Sequence, residues 1–85
     1  MTKTLMIIDM LNDFVLPGAP LEVPDTRKII PNIEREIDKA RGEGYPVIYV
    51  CDSHTPDDRE FQIWPRHCIK GTKGAQVVDE LEPEP

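Results

Sequence analysis

Thr4-Leu5-Met6-Ile7-Ile8-Asp9 and Pro46-Val47-Ile48-Tyr49-Val50-Cys51 are the two stretches whose reading decides the fold. Each is a short, continuous apolar run, and an acid stands at its end, Asp9 after the first and Asp52 after the second. Such runs read as strands of a parallel sheet covered on both faces. Between them Ile29, Ile30, Ile33, Ile37 and Ala40 recur at helical spacing and form one apolar stripe. Asp25 or Thr26 is the expected cap, and the helix is expected to run to about Arg41. Pro31 lies inside the pattern, so the regular helix must begin near it, with Thr26 to Ile30 as a preceding turn. Gly42 and Gly44 can end it in a left-handed conformation. A strand, a crossover helix and a second strand make two adjacent parallel strands. Sites in such sheets form beyond the C-terminal strand ends, where Asp9 and Asp52 lie.

Working outward, Asn12 to Pro24 holds Pro17, Gly18, Pro20 and Pro24, which forbid a long regular element. A long loop, Ser53 to Gly71, follows the second strand, and Thr72 can cap a short helix over Ala75 to Leu81. Glu82-Pro83-Glu84-Pro85 reads as an exposed linker or break point. Two strands do not make an independent sheet. Residues 1–85 are therefore expected to be the N-terminal part of a single α/β domain rather than a whole one. The chain carries 10 basic and 16 acidic residues, a net charge of −6, which argues against nucleic-acid and anionic-membrane partners. No stretch approaches the roughly 18 apolar residues needed to cross a bilayer. The opening apolar run is too short for a secretory signal, so a cytoplasmic location is the default expectation. Cys51 and Cys68 are expected to be reduced, acting as small hydrophobes.

The strongest chemical signal is Asp52-Ser53-His54. In extended backbone, residues two apart point to the same side, so both could reach one cation. His67, the other histidine, follows after a loop long enough to fold back. One carboxylate and two imidazoles make a catalytic type of metal site, open to Zn²⁺, Fe²⁺ or Mn²⁺. Asp57, Asp58 and Glu60 are candidates for a further ligand or for hydrogen-bonding partners of the ligands. Asp-x-His on its own is common by chance, and a loop histidine is more often a solvated surface residue. Asp9 could serve as general base, ligand or positioning residue, or simply cap a loop. Phe14 and Trp64 could line an apolar pocket, although packing of a loop onto the body would also account for them.

Three stretches together resemble a known family. Leu5-Met6-Ile7-Ile8-Asp9-Met10-Leu11-Asn12-Asp13-Phe14 is similar to its opening strand and Asp-x-Gln-x-Asp-Phe motif, with Leu11 in the place of Gln. Val47 to His54 resembles its second strand and Asp-x-His motif. Trp64-Pro65-Arg66-His67-Cys68-Ile69-Lys70-Gly71-Thr72-Lys73-Gly74-Ala75 resembles its long Trp-Pro-x-His-Cys-x-x-Gly-Thr-x-Gly-Ala motif. The family is that of nicotinamidases, pyrazinamidases and isochorismatase-like cysteine hydrolases, and the match covers its N-terminal half.

The resemblance implies a doubly wound, three-layer α/β/α sandwich around a parallel sheet. It implies hydrolysis of a small amide, nicotinamide to nicotinate and ammonia, through an acyl-enzyme on a cysteine. Asp9 matches the catalytic acid. Asp52, His54 and His67 match the ligands of a divalent metal, Zn²⁺ before Fe²⁺ or Mn²⁺, with Glu60 as a possible extra ligand. Phe14 and Trp64 match pocket positions. The family's lysine and nucleophilic cysteine fall in a later region; Cys51 and Cys68 match neither. A companion chain carrying the C-terminal half is therefore the expected partner, in an oligomer. The alternative is a non-catalytic module that binds metal or associates with itself through its open strand edges.

Overall fold

The computed structural model describes residues 3–83. Strand β1 (Leu5–Ile8) is followed by a short helix α1 (Asn12–Val15), a 3₁₀ turn (Thr26–Ile29) and helix α2 (Ile30–Glu43). Strand β2 (Val47–Val50) and three further 3₁₀ turns, Arg59–Gln62, Lys73–Ala75 and Asp79–Leu81, complete the order. The strands pair in parallel with Leu5 opposite Val47 and Ile8 opposite Val50. Asp9 and Asp52 thus stand just beyond the same end of the sheet, because equal strand lengths in register end together.

Pro31 sets the start of α2. It sits in the first turn, where a missing N–H costs nothing, and the tighter 3₁₀ turn precedes it. The cap expected from Asp25 or Thr26 does not form. Asp25 takes a left-handed conformation (φ 66°) with no side-chain capping bond, and the Thr26 hydroxyl donates back to the Val23 carbonyl. At the other end Gly42 lies inside the helix, which runs two residues past Arg41. Gly44 ends it at φ 79°, a conformation that costs a residue without Cβ little.

Ile30, Ile37 and Ala40 of the apolar stripe are buried, and Ile30 and Ile37 join Ile7, Met10, Val15, Val78 and Leu81 in the core. Ile33 is only half-buried and Ile29 is exposed. The expected helix over Ala75 to Leu81 is replaced by two 3₁₀ turns, and Thr72 spends its hydroxyl on the Ile69 carbonyl instead of capping. That segment still returns to the core. Val78 N–H donates to the Met10 carbonyl at 3.0 Å, and the Tyr49 hydroxyl donates to the Leu81 carbonyl at 2.8 Å. Glu82 and Pro83 are exposed; Glu84 and Pro85 of the expected linker lie outside the described residues.

Both faces of the sheet were expected to be covered, and here only one is. Leu5, Ile7, Val47 and Tyr49 face α2 and the core, while Met6, Ile8, Ile48 and Val50 alternate with them onto a bare face. Met6 and Ile8 are 53% and 57% exposed. The continuous apolar run is the sequence of a strand with two buried faces, and this chain supplies the cover for one. Among the described residues, no helix is long and apolar enough to cross a membrane.

Candidate metal centre and acid site

Asp52 follows β2, and the chain then turns so that His54 pairs with Ile69 in an isolated parallel bridge. His54 N–H donates to the Cys68 carbonyl at 2.9 Å, and Lys70 N–H to the His54 carbonyl at 2.8 Å. These bonds bring His67 back to the strand end although thirteen residues separate it from His54 in sequence. Both histidines are buried, Asp52 partly so. One ligand atom from each of Asp52, His54 and His67 lies within 4.8 Å of the others.

The hydrogen bonds decide which ring nitrogens face inward. His67 Nδ1 lies 2.6 Å from the Pro65 carbonyl. A carbonyl can only accept, so Nδ1 carries the proton and Nε2 of the neutral ring holds its lone pair, 3.6 Å from Asp52 Oδ2. His54 places Nε2 at 2.8 Å from the same carboxylate oxygen and Nδ1 at 2.9 Å from Asp58 Oδ2. With a cation in place, Nδ1–H of His54 would stay on Asp58 and its deprotonated Nε2 would offer a lone pair on the Asp52 side; without one, Nε2–H donates to Asp52. An anionic oxygen and two imidazole lone pairs directed at one point suit a divalent cation, and they leave positions open to water or substrate. The residues fit the metal that the motif implies. Without it, the Asp58 and Asp52 carboxylates beside His54 push its pKa above the ordinary imidazole value. A bond from the Glu60 N–H, and then His54, holds the Asp58 carboxyl below the usual range.

Glu60 does not join Asp52 and His67. Its carboxylate lies 3.6 Å from His54 Nδ1, the nitrogen that Asp58 already occupies, on the opposite side of the ring from Nε2. Asp57 is exposed. Asp9 lies close by in another way: its Oδ1 accepts the Asp52 N–H at 3.0 Å. The acid at the end of β1 is thus tied to the backbone of the candidate ligand at the end of β2. Asp9 is itself in the left-handed region, φ 56°, which lets the chain leave the strand sharply while its side chain turns back.

Phe14 lies against His67, ring centroids 5.8 Å apart, and shares with Asp9 the wall of an open, mostly apolar cleft of about 560 Å³. Trp64 is 52% exposed. The aromatic packed against both histidines is instead Phe61, 5.5 Å from each, with the Arg66 guanidinium 5.3 Å from its ring centre. Sequence reasoning singles out Phe14 and Trp64 and misses Phe61; its place midway between the two histidines was the available signal. Asp13, whose carboxylate accepts the Cys68 N–H at 2.8 Å, was quoted in the first motif without a role.

Both cysteines are free thiols, Cys51 exposed and Cys68 buried. Burial, with the neighbouring carboxylates Asp52, Asp13 and Asp9, pushes the Cys68 thiol up to about 12, and the Cys51 thiol is also raised. A nucleophilic or redox thiol needs the opposite shift. Neither is set up to attack a carbonyl, in keeping with their mismatch to the family's nucleophile.

The profile of the isochorismatase domain matches residues 3–85. This chain belongs to the isochorismatase family. Among curated relatives of this isochorismatase-domain chain, a probable inactive nicotinamidase of Arabidopsis thaliana is 38% identical over 91% of it and 44% of that protein. The nicotinamidase of Saccharomyces cerevisiae is 28% identical over 93% of it and 50% of that protein. The zinc complex of Pyrococcus horikoshii pyrazinamidase superposes with a TM-score of 0.83 at 37% identity, over 88% of this chain and 44% of that one. The chain spans about half the length of the relatives it matches, so its fold is the N-terminal half of their α/β domain.

Proposed function

We propose that this chain supplies the acid and the metal ligands of an amidase site whose lysine and nucleophilic cysteine come from the C-terminal half of the domain. The observation that carries this reading is the bond between Asp9 Oδ1 and the Asp52 N–H. It holds a general base and a ligand cluster side by side at one end of the sheet. Asp52, His54 and His67 would hold the divalent cation, with Zn²⁺ favoured because the pyrazinamidase of P. horikoshii was solved with zinc. The cation, when bound, would supply an electrophilic anchor for the substrate. Asp9, whose second oxygen has no hydrogen bond among the described residues, would take the proton of the incoming thiol. The sulfur bonds to the amide carbon, the C–N bond breaks, and the proton held by Asp9 leaves with ammonia; water then cleaves the thioester to the acid and free thiol. Phe14 and Phe61 would bound the pocket for a flat ring such as nicotinamide, with the exposed Trp64 free to close over it.

The bare face of Met6, Ile8, Ile48 and Val50 supports a second half that covers it. It equally suits a self-associating, metal-binding module without activity. Native and denaturing mass measurement of the active material, joined to an ammonia-release assay with nicotinamide, separates the two. Active material is expected to hold the C-terminal half, on this polypeptide or on a second one, and to release ammonia. Copies of this chain alone, inactive toward amides, would leave only the non-catalytic reading.

A further inference from the structure

His67 and Cys68 are consecutive, and both are buried. The chain turns sharply between them: Cys68 stands at φ 48°, a region that residues with a Cβ rarely enter. The turn therefore needs something to hold it. Cys68 N–H donates to Asp13 Oδ2 at 2.8 Å, across a sequence separation of 55 residues. The carboxylate is seated tightly: a Cβ on Gly74 would run into the carboxyl carbon and both oxygens of Asp13. Next to it, the Asn12 side-chain amide donates to the Lys73 carbonyl at 2.8 Å, and Asn12 N–H to the Gln76 carbonyl at 2.9 Å. Asp13 lies in the first turn of α1, yet the bond it makes is to the His67–Cys68 turn.

We infer that Asp13 is a positioning residue for the metal centre. Its carboxylate, lodged against Gly74, pins the left-handed turn at Cys68. That keeps the His67 Nδ1–H on the Pro65 carbonyl and Nε2 directed at Asp52. Gly74 is then required for the space it leaves rather than for its backbone freedom. The inference rests on the reading of His67 as a ligand, but its first test needs no metal.

In the metal-free full-length protein, long-range ¹⁵N–¹H spectra of the imidazoles report which nitrogen carries the proton. At a pH where the ring is neutral, wild-type His67 is expected to show a single Nδ1–H tautomer. Asp13→Ala and Gly74→Ala should each give averaged tautomers while the amide signals of β1 and α2 persist. Asp13→Asn, which keeps an acceptor oxygen, should restore the wild-type signal. An unchanged His67 tautomer in Gly74→Ala or in Asp13→Ala would overturn the inference, and so would a loss in Asp13→Asn as complete as in Asp13→Ala. Should Asp13→Ala not fold, Gly74→Ala decides alone, since it removes no hydrogen-bonding group. Cobalt(II) titration of the same samples should show about tenfold weaker binding in both alanine variants. Absence of cobalt binding by the wild type would remove the metal reading and leave the tautomer result standing.

Discussion

Two regions of this chain, the sheet and the loop after it, have opposite relations to what surrounds them. The sheet is its most regular part, yet one face is bare, with Met6, Ile8, Ile48 and Val50 turned outward. The loop from Asp52 to Cys68 has almost no regular structure, yet its two histidines are buried and each ring nitrogen but His67 Nε2 has a hydrogen-bonding partner. Regularity and completeness are thus separate properties. The ligand cluster is finished within these residues because its bonds are local or run to α1 and the strand ends. The sheet is unfinished because its second cover must come from residues beyond the cluster's reach.

The sharpest way to break this comparison is to truncate neighbouring residues on opposite faces of β1. Ile7→Ala should cost about 2–5 kcal/mol, since it hollows the core against α2. Ile8→Ala should stay within about 0.5 kcal/mol in the chain measured alone. In the completed domain it should approach about 2 kcal/mol, once the face is covered. Urea unfolding of the two variants, with and without the second half, reads the difference; a large Ile8→Ala loss in the chain alone would mean that the face is already covered.

The other side of the comparison, the self-contained cluster, is tested by its own side chains. His54→Ala should weaken divalent-metal binding by more than about 100-fold, as removing a ligand must exceed the loss from removing a ligand's partner. Metal stoichiometry by elemental analysis checks it, and an undiminished content would cancel the ligand assignment. Asp58→Asn should weaken binding by only about tenfold, because the Nδ1–H of His54 keeps an oxygen acceptor but loses a charged one. If Glu60→Gln proved the more damaging of the two, the pairing of Asp58 with His54 would be the wrong one.

The smallest effect belongs to the surface. Arg27 pairs with Glu80, tying the turn before α2 to the last 3₁₀ turn. A bond from its own backbone N–H, and then the Arg27 guanidinium, holds the Glu80 carboxyl below the usual range. A carboxylate depressed on folding stabilises the fold above its unfolded pKa and loses that contribution as the pH falls through the folded value. Arg27→Ala should therefore cost no more than about 0.5 kcal/mol at neutral pH, for an exposed pair that water screens, and nothing in acid. Thermal melts at the two pH values would show it, and a pH-independent difference would point to lost packing of the arginine stem.

The sequence by itself determined the strand–helix–strand order, the parallel pairing and the start of α2. Those follow from local facts: apolar runs, a 3.6-residue stripe, and a proline without an N–H. It also singled out Asp9, Asp52, His54 and His67, because ligand-type side chains beyond strand ends are visible as text. Tertiary structure alone decided what stands around them. That Asp58 takes His54 Nδ1 while Glu60 stays behind it depends on how a 3₁₀ turn folds the loop, and no periodicity encodes that. That Phe61 rather than Trp64 packs on the histidines, and that Asp13 reaches Cys68, are contacts between residues far apart or differently turned. The uncovered face was equally hidden. A strand buried on both sides and one waiting for its cover have the same sequence, because hydrophobicity records what a surface requires and only the assembled fold supplies it.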